Sequence, residues 1–272
     1  MKNAVQKPIH RGTLRKFFGK EYYILKRRFN WFFSSKKWAQ KRSDQLEEYT
    51  VFEHRSLILR PLKDVDMYLQ ENKRVNLSLA IPYLHKVTIG IGETFSIWKL
   101  VGRPTKSKGY LEGLVLDQGK VSKDIAGGLC QLGNLLFWIF AHSPLTIVER
   151  YRHGFDVFPD MNRNVPFGAG ATLSYNHIDL QVRNDTGQPF QIELWLDETH
   201  LNGRLLTNNN LTSTYRIEER NHLMSKQYWG GYSRHNQIVQ IETNEFGKED
   251  EKLLVENHAI LMYNPFIEES HN

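Results

Sequence analysis

Ile125-Ala126-Gly127-Gly128-Leu129-Cys130-Gln131-Leu132-Gly133-Asn134-Leu135-Leu136-Phe137-Trp138 is the stretch on which the fold turns. Its two adjacent glycines permit a positive φ or a close backbone approach. The residues after them are apolar on nearly every side, the pattern of a helix buried all round rather than along one stripe. The apolar run Leu135–Ala141 has seven residues, well short of the ~20 needed to cross a bilayer.

Outward from that helix the periodicity changes. After Leu145 the runs Thr146-Ile147-Val148, Ala171-Thr172-Leu173-Ser174-Tyr175, Ile178-Asp179-Leu180-Gln181-Val182 and Phe190-Gln191-Ile192-Glu193-Leu194-Trp195 alternate or are β-branched. Asn184-Asp185-Thr186-Gly187 and Asn202-Gly203 read as the turns between them. Thr214 to Ile217, Gln237 to Glu242 and Ala259 to Tyr263 are further strand candidates. Upstream, residues 71–103 read as helical and then irregular, with Asn76 a candidate cap and Val101-Gly102-Arg103-Pro104 a turn. The fold class is therefore α+β: a mostly antiparallel sheet packed on a buried, Cys130-bearing helix, with a basic N-terminal helical segment. Residues 1–43 form that basic amphipathic segment, 44–206 the α+β core, and 207–272 a β-rich extension packed on the same domain.

The chain has 272 residues and one cysteine. It is long enough to bury a sizeable core without staples, and a lone thiol excludes an intrachain disulfide and a Cys-rich zinc site. No Walker-type loop, G-x-G-x-x-G or H-E-x-x-H occurs, so neither a metal, a nucleotide nor any other cofactor is expected. The net charge of +6 conceals a division. Residues 1–43 carry thirteen Lys/Arg against the single acid Glu21, a net +12, which leaves −6 for the rest. Basicity thus belongs to one segment, and with no helix-turn-helix, zinc-finger or RRM pattern nucleic acid is not an expected partner. The N-terminus lacks an uninterrupted apolar region and a small-residue cleavage site, which points to the cytoplasm, with association at the inner membrane face as an alternative.

Within that basic segment Leu14, Phe18, Tyr22, Leu25, Phe29 and Phe32 recur at steps of three and four and form one stripe at helical pitch. Arg15, Lys16, Lys20 and Arg27 lie off it. Two readings follow: the stripe docks on the body with the cations solvated, or it lies in an anionic membrane surface.

Chemistry gathers around Cys130. In the first turn of a helix a thiol meets unsatisfied N–H groups and the positive end of the macrodipole. Both lower its pKa below the usual ~8.5, and the Gln131 amide N–H could help hold an oxyanion. A buried cysteine acting as a small hydrophobe is the plainer reading. His153 follows a strand, and Asp179 lies on a later one, so Cys130, His153 and Asp179 stand in the chain order of papain- and transglutaminase-like nucleophiles, with His177 an alternative to Asp179. Arg150 and Arg152 beside His153 could instead clamp a carboxylate or phosphate. Gly127, Gly128, Gln131 and His177 join them as candidate binding residues. Asp156 and Asp160, flanking Pro159, read as turn formers.

The ordered motifs Gly127-Gly128-Leu129-Cys130-Gln131, Val148-Glu149-Arg150 through His153, Val165-Pro166-Phe167-Gly168, Asp179-Leu180 and Asn184-Asp185-Thr186 together resemble the VanW family. Trp229-Gly230-Gly231-Tyr232 and Glu256-Asn257-His258-Ala259 fit the same pattern, which covers roughly residues 72–265. Two positions depart from it: Ala126 stands where the family often has a third glycine, and Gly154 where many members have Ser. The resemblance implies a cell-envelope context and an accessory role in glycopeptide (vancomycin) resistance, without fixing a reaction. Three readings remain, the first two being Cys–His acyl transfer or hydrolysis on a peptidoglycan-precursor peptide, and non-catalytic binding of an anionic envelope precursor by Arg150, Arg152 and His153. A peripheral membrane scaffold working through residues 1–43 is the third.

Overall fold

The computed structural model describes residues 12–59, 66–117, 119–157 and 165–265. Four α-helices lie among them: α1 (Thr13–Phe33), α2 (Met67–Ala80), α3 (Ile97–Val101) and α4 (Cys130–Ala141). The quoted stretch forms the start of α4, and Leu132, Leu135, Leu136, Phe137, Ile139 and Phe140 are all buried there. Each such side chain stabilises the fold by about 1.5–3 kcal/mol, so this helix is the centre of the core.

α4 lies on a four-stranded antiparallel sheet ordered Tyr49–Leu57, His200–Thr207, Phe190–Leu196, Thr88–Ile89. Ile192, Leu194, Leu201 and Leu205 meet the helix in one cluster. The Asn202-Gly203 pair sits inside a central strand, paired to Trp195 and Leu194 on one side and Arg55 and His54 on the other, not in the turn expected of it. Packing is the reason. A Cβ on Gly203 would come within 3.0 Å of Leu135 and Ile139 of α4, so the glycine sets how closely helix and sheet approach.

A second sheet orders Lys37–Trp38, Glu93–Ser96, Gln181–Arg183 and Thr146–Glu149, with the first pair parallel. A third is built from the long strands Thr214–Lys226, Tyr232–Thr243 and Glu249–Leu261. Its fourth strand, Phe155–Asp156, comes from the centre of the chain and pairs in parallel. Gln240 of the middle strand donates to the carbonyls of Ala141 and Ser143 at the end of α4. The strands after residue 207 thus close over the same helix. A two-stranded hairpin, Glu112–Asp117 with Lys120–Ile125, leads into α4.

Two further expectations change. Ala171–Tyr175 contributes a single bridge, Ser174 to Ile178, rather than a strand. Its backbone donors are taken elsewhere: Ala171 N–H by Asn134 Oδ1 (2.9 Å), Thr172 N–H by the Tyr151 carbonyl (2.8 Å) and Leu173 N–H by Cys130 Sγ (3.4 Å). Asn76 is no cap. It lies within α2, fully buried, donating to the carbonyls of Leu111 (3.0 Å) and Gly127 (2.9 Å) and accepting from Leu111 N–H (2.8 Å). One amide side chain therefore ties α2 to the glycine-rich turn before α4.

α1 docks by its polar side. Ile24 is buried, Arg27 pairs with Glu149, Arg103 donates to Glu21 (2.8 Å), and Lys99 of α3 sits over the rings of Trp31 (5.1 Å) and Trp38 (5.0 Å). The apolar stripe does not dock on the body; it faces outward.

Candidate functional site

Cys130 is the first residue of α4, where the sequence places it. Its surroundings do not activate it. The sulfur donates to the Leu173 carbonyl (3.7 Å) and accepts from the Leu173 N–H (3.4 Å), and burial pushes the thiol up from its ordinary value rather than down. Desolvation of the thiolate outweighs the hydrogen bond from Leu173 and that from its own backbone N–H. The Gln131 N–H is likewise spent, on the Gly128 carbonyl (3.0 Å), and the side-chain amide binds Ser56 and Leu57 of the sheet. No oxyanion donor remains at this residue.

The backbone leading into the helix explains the motif. Ala126 has φ +62° and Gly128 φ +92°, two left-handed residues that turn the hairpin into α4. A Cβ on Gly127 would lie 2.1 Å from the Gly113 carbonyl, so two backbones cross there in contact. Gly127, Gly128 and Gln131 are thus turn and packing residues.

Cys130, His153 and Asp179 do not form one hydrogen-bonded set. Residue 172 bonds to Tyr151 and, through its hydroxyl, to the His153 N–H (3.0 Å), while residue 173 bonds to Cys130. The 171–173 segment is bonded to both Cys130 and the backbone of His153. Asp179 is fully buried elsewhere, accepting from Ser96 Oγ (2.5 Å), Trp98 N–H (3.2 Å), Leu180 N–H (2.9 Å) and Gln181 Nε2 (3.3 Å). Burial pushes it up to about 6 in spite of the Ser96 bond. It anchors the start of α3, whose N-cap is the same Ser96. The His177 ring lies 4.7 Å from that of Tyr23 of α1, tilted 54° to it, and the His177 carbonyl accepts from Arg27 (3.3 Å).

A cluster of charged and polar side chains lies instead around Phe167. This ring is buried, with the Arg152 guanidinium 4.0 Å and the Arg234 guanidinium 4.2 Å from its centre. Arg234 faces Asp156 at 3.7 Å, and its Nε donates to His222 (2.8 Å). Asp156 also accepts from the Tyr263 hydroxyl (3.2 Å). It is a buried strand carboxylate held by a cation, not a turn former; Pro159 and Asp160 lie outside the described residues.

Arg150 closes the other side. Its Nε donates to the Gly170 carbonyl (2.7 Å), and one terminal nitrogen donates to Gly168 and to Asn257 Oδ1 (3.1 Å). Burial, then the charge of Arg152, pull Arg150 down to about 9; it remains cationic at neutral pH. Asn257 donates to Asn236 Oδ1 (2.8 Å), and Asn236 donates to the Phe167 carbonyl and to Glu219 (2.6 Å each). Gly168 makes this approach possible: its φ is +85°, and a Cβ there would lie 2.0 Å from Asn257 Nδ2. Behind it, His235 Nδ1 meets His258 Nδ1 at 2.7 Å and His235 Nε2 meets Ser233 Oγ at 2.7 Å. Burial lowers His235, and His258 lowers it further, because one bridging position holds one proton. Burial and then Arg152 lower His153 in the same way.

Of the expected site residues, the structure thus brings together Arg150, Arg152 and His153. Arg150 is committed to backbone carbonyls, which leaves Arg152 and His153 at the margin of the cluster. Arg234, Asn236 and His235 carry no role in the sequence reading, and Asp156 only that of a turn former. The signal for them is Ser233-Arg234-His235-Asn236, four polar residues in succession before the alternating Gln237-Ile238-Val239-Gln240-Ile241. All four are buried, as on a strand covered on both faces.

Residues 72–206, from α2 through α4 and the Phe167 turn to the central sheet, match the model of the VanW-like protein family. The vancomycin B-type resistance protein VanW of Enterococcus faecalis is 39% identical over 180 residues, 66% of each chain. The uncharacterized protein YoaR of Bacillus subtilis is 32% identical over 120 residues, 43% of this chain and 37% of that one. The match thus spans just under two thirds of the first relative and little over a third of the second. No solved structure gives a significant match. On the family match and the identity to VanW, the chain belongs to the VanW family.

Proposed function

We propose that this chain, like the relative named for vancomycin B-type resistance, is a resistance-associated protein of the cell envelope. In this reading it holds an anionic peptidoglycan precursor and does not cleave it through Cys130. One observation carries it: three guanidiniums, Arg150, Arg152 and Arg234, converge on the buried Phe167 turn. Asp156 faces Arg234 from within the cluster, and Glu219 is reached through Asn236. Three cations meet in a partly desolvated place, which favours an anion far more than the same charges in water would. Arg152 and His153 are the partly exposed members of the cluster, at which such a ligand would arrive. A terminal carboxylate or a pyrophosphate has the planar or clustered oxygens that a guanidinium fork accommodates.

Calorimetric titration with a D-alanyl-D-alanine-terminated pentapeptide and, separately, with inorganic pyrophosphate tests this. Saturable binding of one of them is expected, weakened on the order of tenfold or more by Arg152→Gln and unchanged by Cys130→Ser. Absence of binding by either probe, or binding indifferent to Arg152, overturns it. Hydrolysis of the pentapeptide that disappears in Cys130→Ser would return the chemistry to the thiol.

A further inference from the structure

We propose that α1 is a membrane-surface anchor: a helix held against the body by its polar side so that its aromatic side lies in the interface of an anionic bilayer. The proposal is independent of the Phe167 ligand. Leu14, Phe18, Tyr22, Leu25, Phe29 and Phe32 are each 59–83% exposed, and Phe33 beside them is 66% exposed. At 3.6 residues per turn they share one face, turned away from the buried Ile24. The orientation is enforced. Arg27–Glu149, Tyr23 by His177 and Lys99 between Trp31 and Trp38 engage the opposite side, while Arg103–Glu21 and Arg28 to the Tyr175 hydroxyl (3.3 Å) hold one edge. Turning the aromatic face inward would break every one of them.

Charge complementarity selects the occupant. Arg15 and Lys26 flank the aromatic face on one side and Arg28 on the other, all exposed. The only acid in the first 43 residues, Glu21, is engaged by Arg103. A second copy laid face to face would oppose cation to cation, since a two-fold contact meets itself. An anionic headgroup layer over hydrocarbon matches both features: it neutralises the flanking cations and admits the Phe, Leu and Tyr side chains to the acyl boundary. None of the described helices is long and apolar enough to cross a membrane, so α1 lies along the surface.

The test is co-sedimentation of the full chain with vesicles of phosphatidylcholine containing 30% phosphatidylglycerol, and with pure phosphatidylcholine, at low and at high salt. Binding to the anionic vesicles is expected, reduced by salt because the flanking charges are screened. Phe18→Ser/Phe29→Ser/Phe32→Ser is expected to abolish binding at either salt. Arg15→Glu/Lys26→Glu is expected to weaken it on the order of tenfold or more at low salt. All five side chains are exposed, and circular dichroism checks that the variants fold. No sedimentation, equal binding to neutral vesicles, or binding that survives the triple variant overturns the proposal. So does dimerisation of the full chain that the triple variant abolishes while vesicle binding persists.

Discussion

The turn into α4 and the turn at Phe167 are both glycine-rich and both buried, yet they do opposite things with their polar groups. At Cys130 the sulfur is engaged by both backbone groups of Leu173 and the Gln131 N–H by the Gly128 carbonyl, and burial favours the protonated thiol. At Phe167 the polar groups include three guanidiniums, two over one ring and a third beside it, with the Asp156 carboxylate facing one of them. The glycines before Cys130 lie where two backbones cross, while positive charge gathers partly on a strand some hundred residues later. The difference teaches that a nucleophile's sequence context, a first-turn thiol after glycines, does not determine its environment; what packs over it does.

Substitution separates the two regions most sharply at their glycines. Gly127→Ala places a methyl 2.1 Å from another backbone carbonyl, with nothing flexible to yield. A loss on the order of 4 kcal/mol or more is expected, seen as failure to fold or a collapsed urea midpoint. Gly168→Ala meets a side-chain amide, which can shift, but at φ +85°. About 2–4 kcal/mol is expected, with the hydrogen bond from Arg150 to Asn257 broken. Equal costs would deny the distinction between a backbone crossing and a side-chain cradle.

Next in size is Arg150→Met. It removes the partner of the Gly168 and Gly170 carbonyls and of Asn257. Leaving these buried acceptors unsatisfied costs about 3 kcal/mol, read from urea unfolding. Cys130→Ser keeps both Leu173 hydrogen bonds within reach and is expected to cost no more than about 1–2 kcal/mol.

Acid sensitivity should follow the Phe167 side. Burial lowers His153 and His235 from 6.5, so the unfolded chain binds more protons there than the folded one. Their contribution is complete above pH 6.5 and is lost as pH falls below it towards the lowered folded values. Asp179, raised to about 6, has the opposite sign: its ionisation costs stability as pH rises from about 4 through 6. Urea midpoints measured from pH 7 to pH 5 should fall less steeply in His153→Gln than in the parent, and Cys130→Ser should leave that slope unchanged. A slope unaltered by His153→Gln would remove this histidine from the account.

The smallest effect belongs to Ala126. A non-glycine residue at φ +62° carries left-handed strain of about 1–2 kcal/mol, and glycine there restores chain entropy to the unfolded state, costing about 0.5–1 kcal/mol. Ala126→Gly should be neutral or stabilising by up to about 1 kcal/mol.

Much of the architecture is written in local patterns. An all-round apolar helix after two glycines, then alternating runs, leads to the α+β class because burial periodicity is a local property. What misleads is local chemistry overruled by distant packing. Asn202-Gly203 spells a turn, but α4 needs a residue without a side chain at that point of the strand. Asn76 spells a cap, but Leu111 and Gly127 require its amide. The stripe on α1 is readable as a stripe, whereas its outward direction depends on Arg27, Glu21 and Trp31 finding partners on the body. The Phe167 cluster is least legible, since Arg150, Phe167, Arg234 and Asn257 come from four separate parts of the chain and only the Ser233–Asn236 polar run hints at it.

The most direct measurement is the pH dependence of Cys130 alkylation by iodoacetamide in the folded protein. A part-buried sulfur, hydrogen-bonded to Leu173 and held protonated, should react on the order of tenfold or more slowly than a free thiol at pH 7.5, with the rate rising as urea unfolds the chain. Rapid labelling of the folded protein with an apparent pKa below that of free cysteine would contradict the account and make the thiol the site of chemistry.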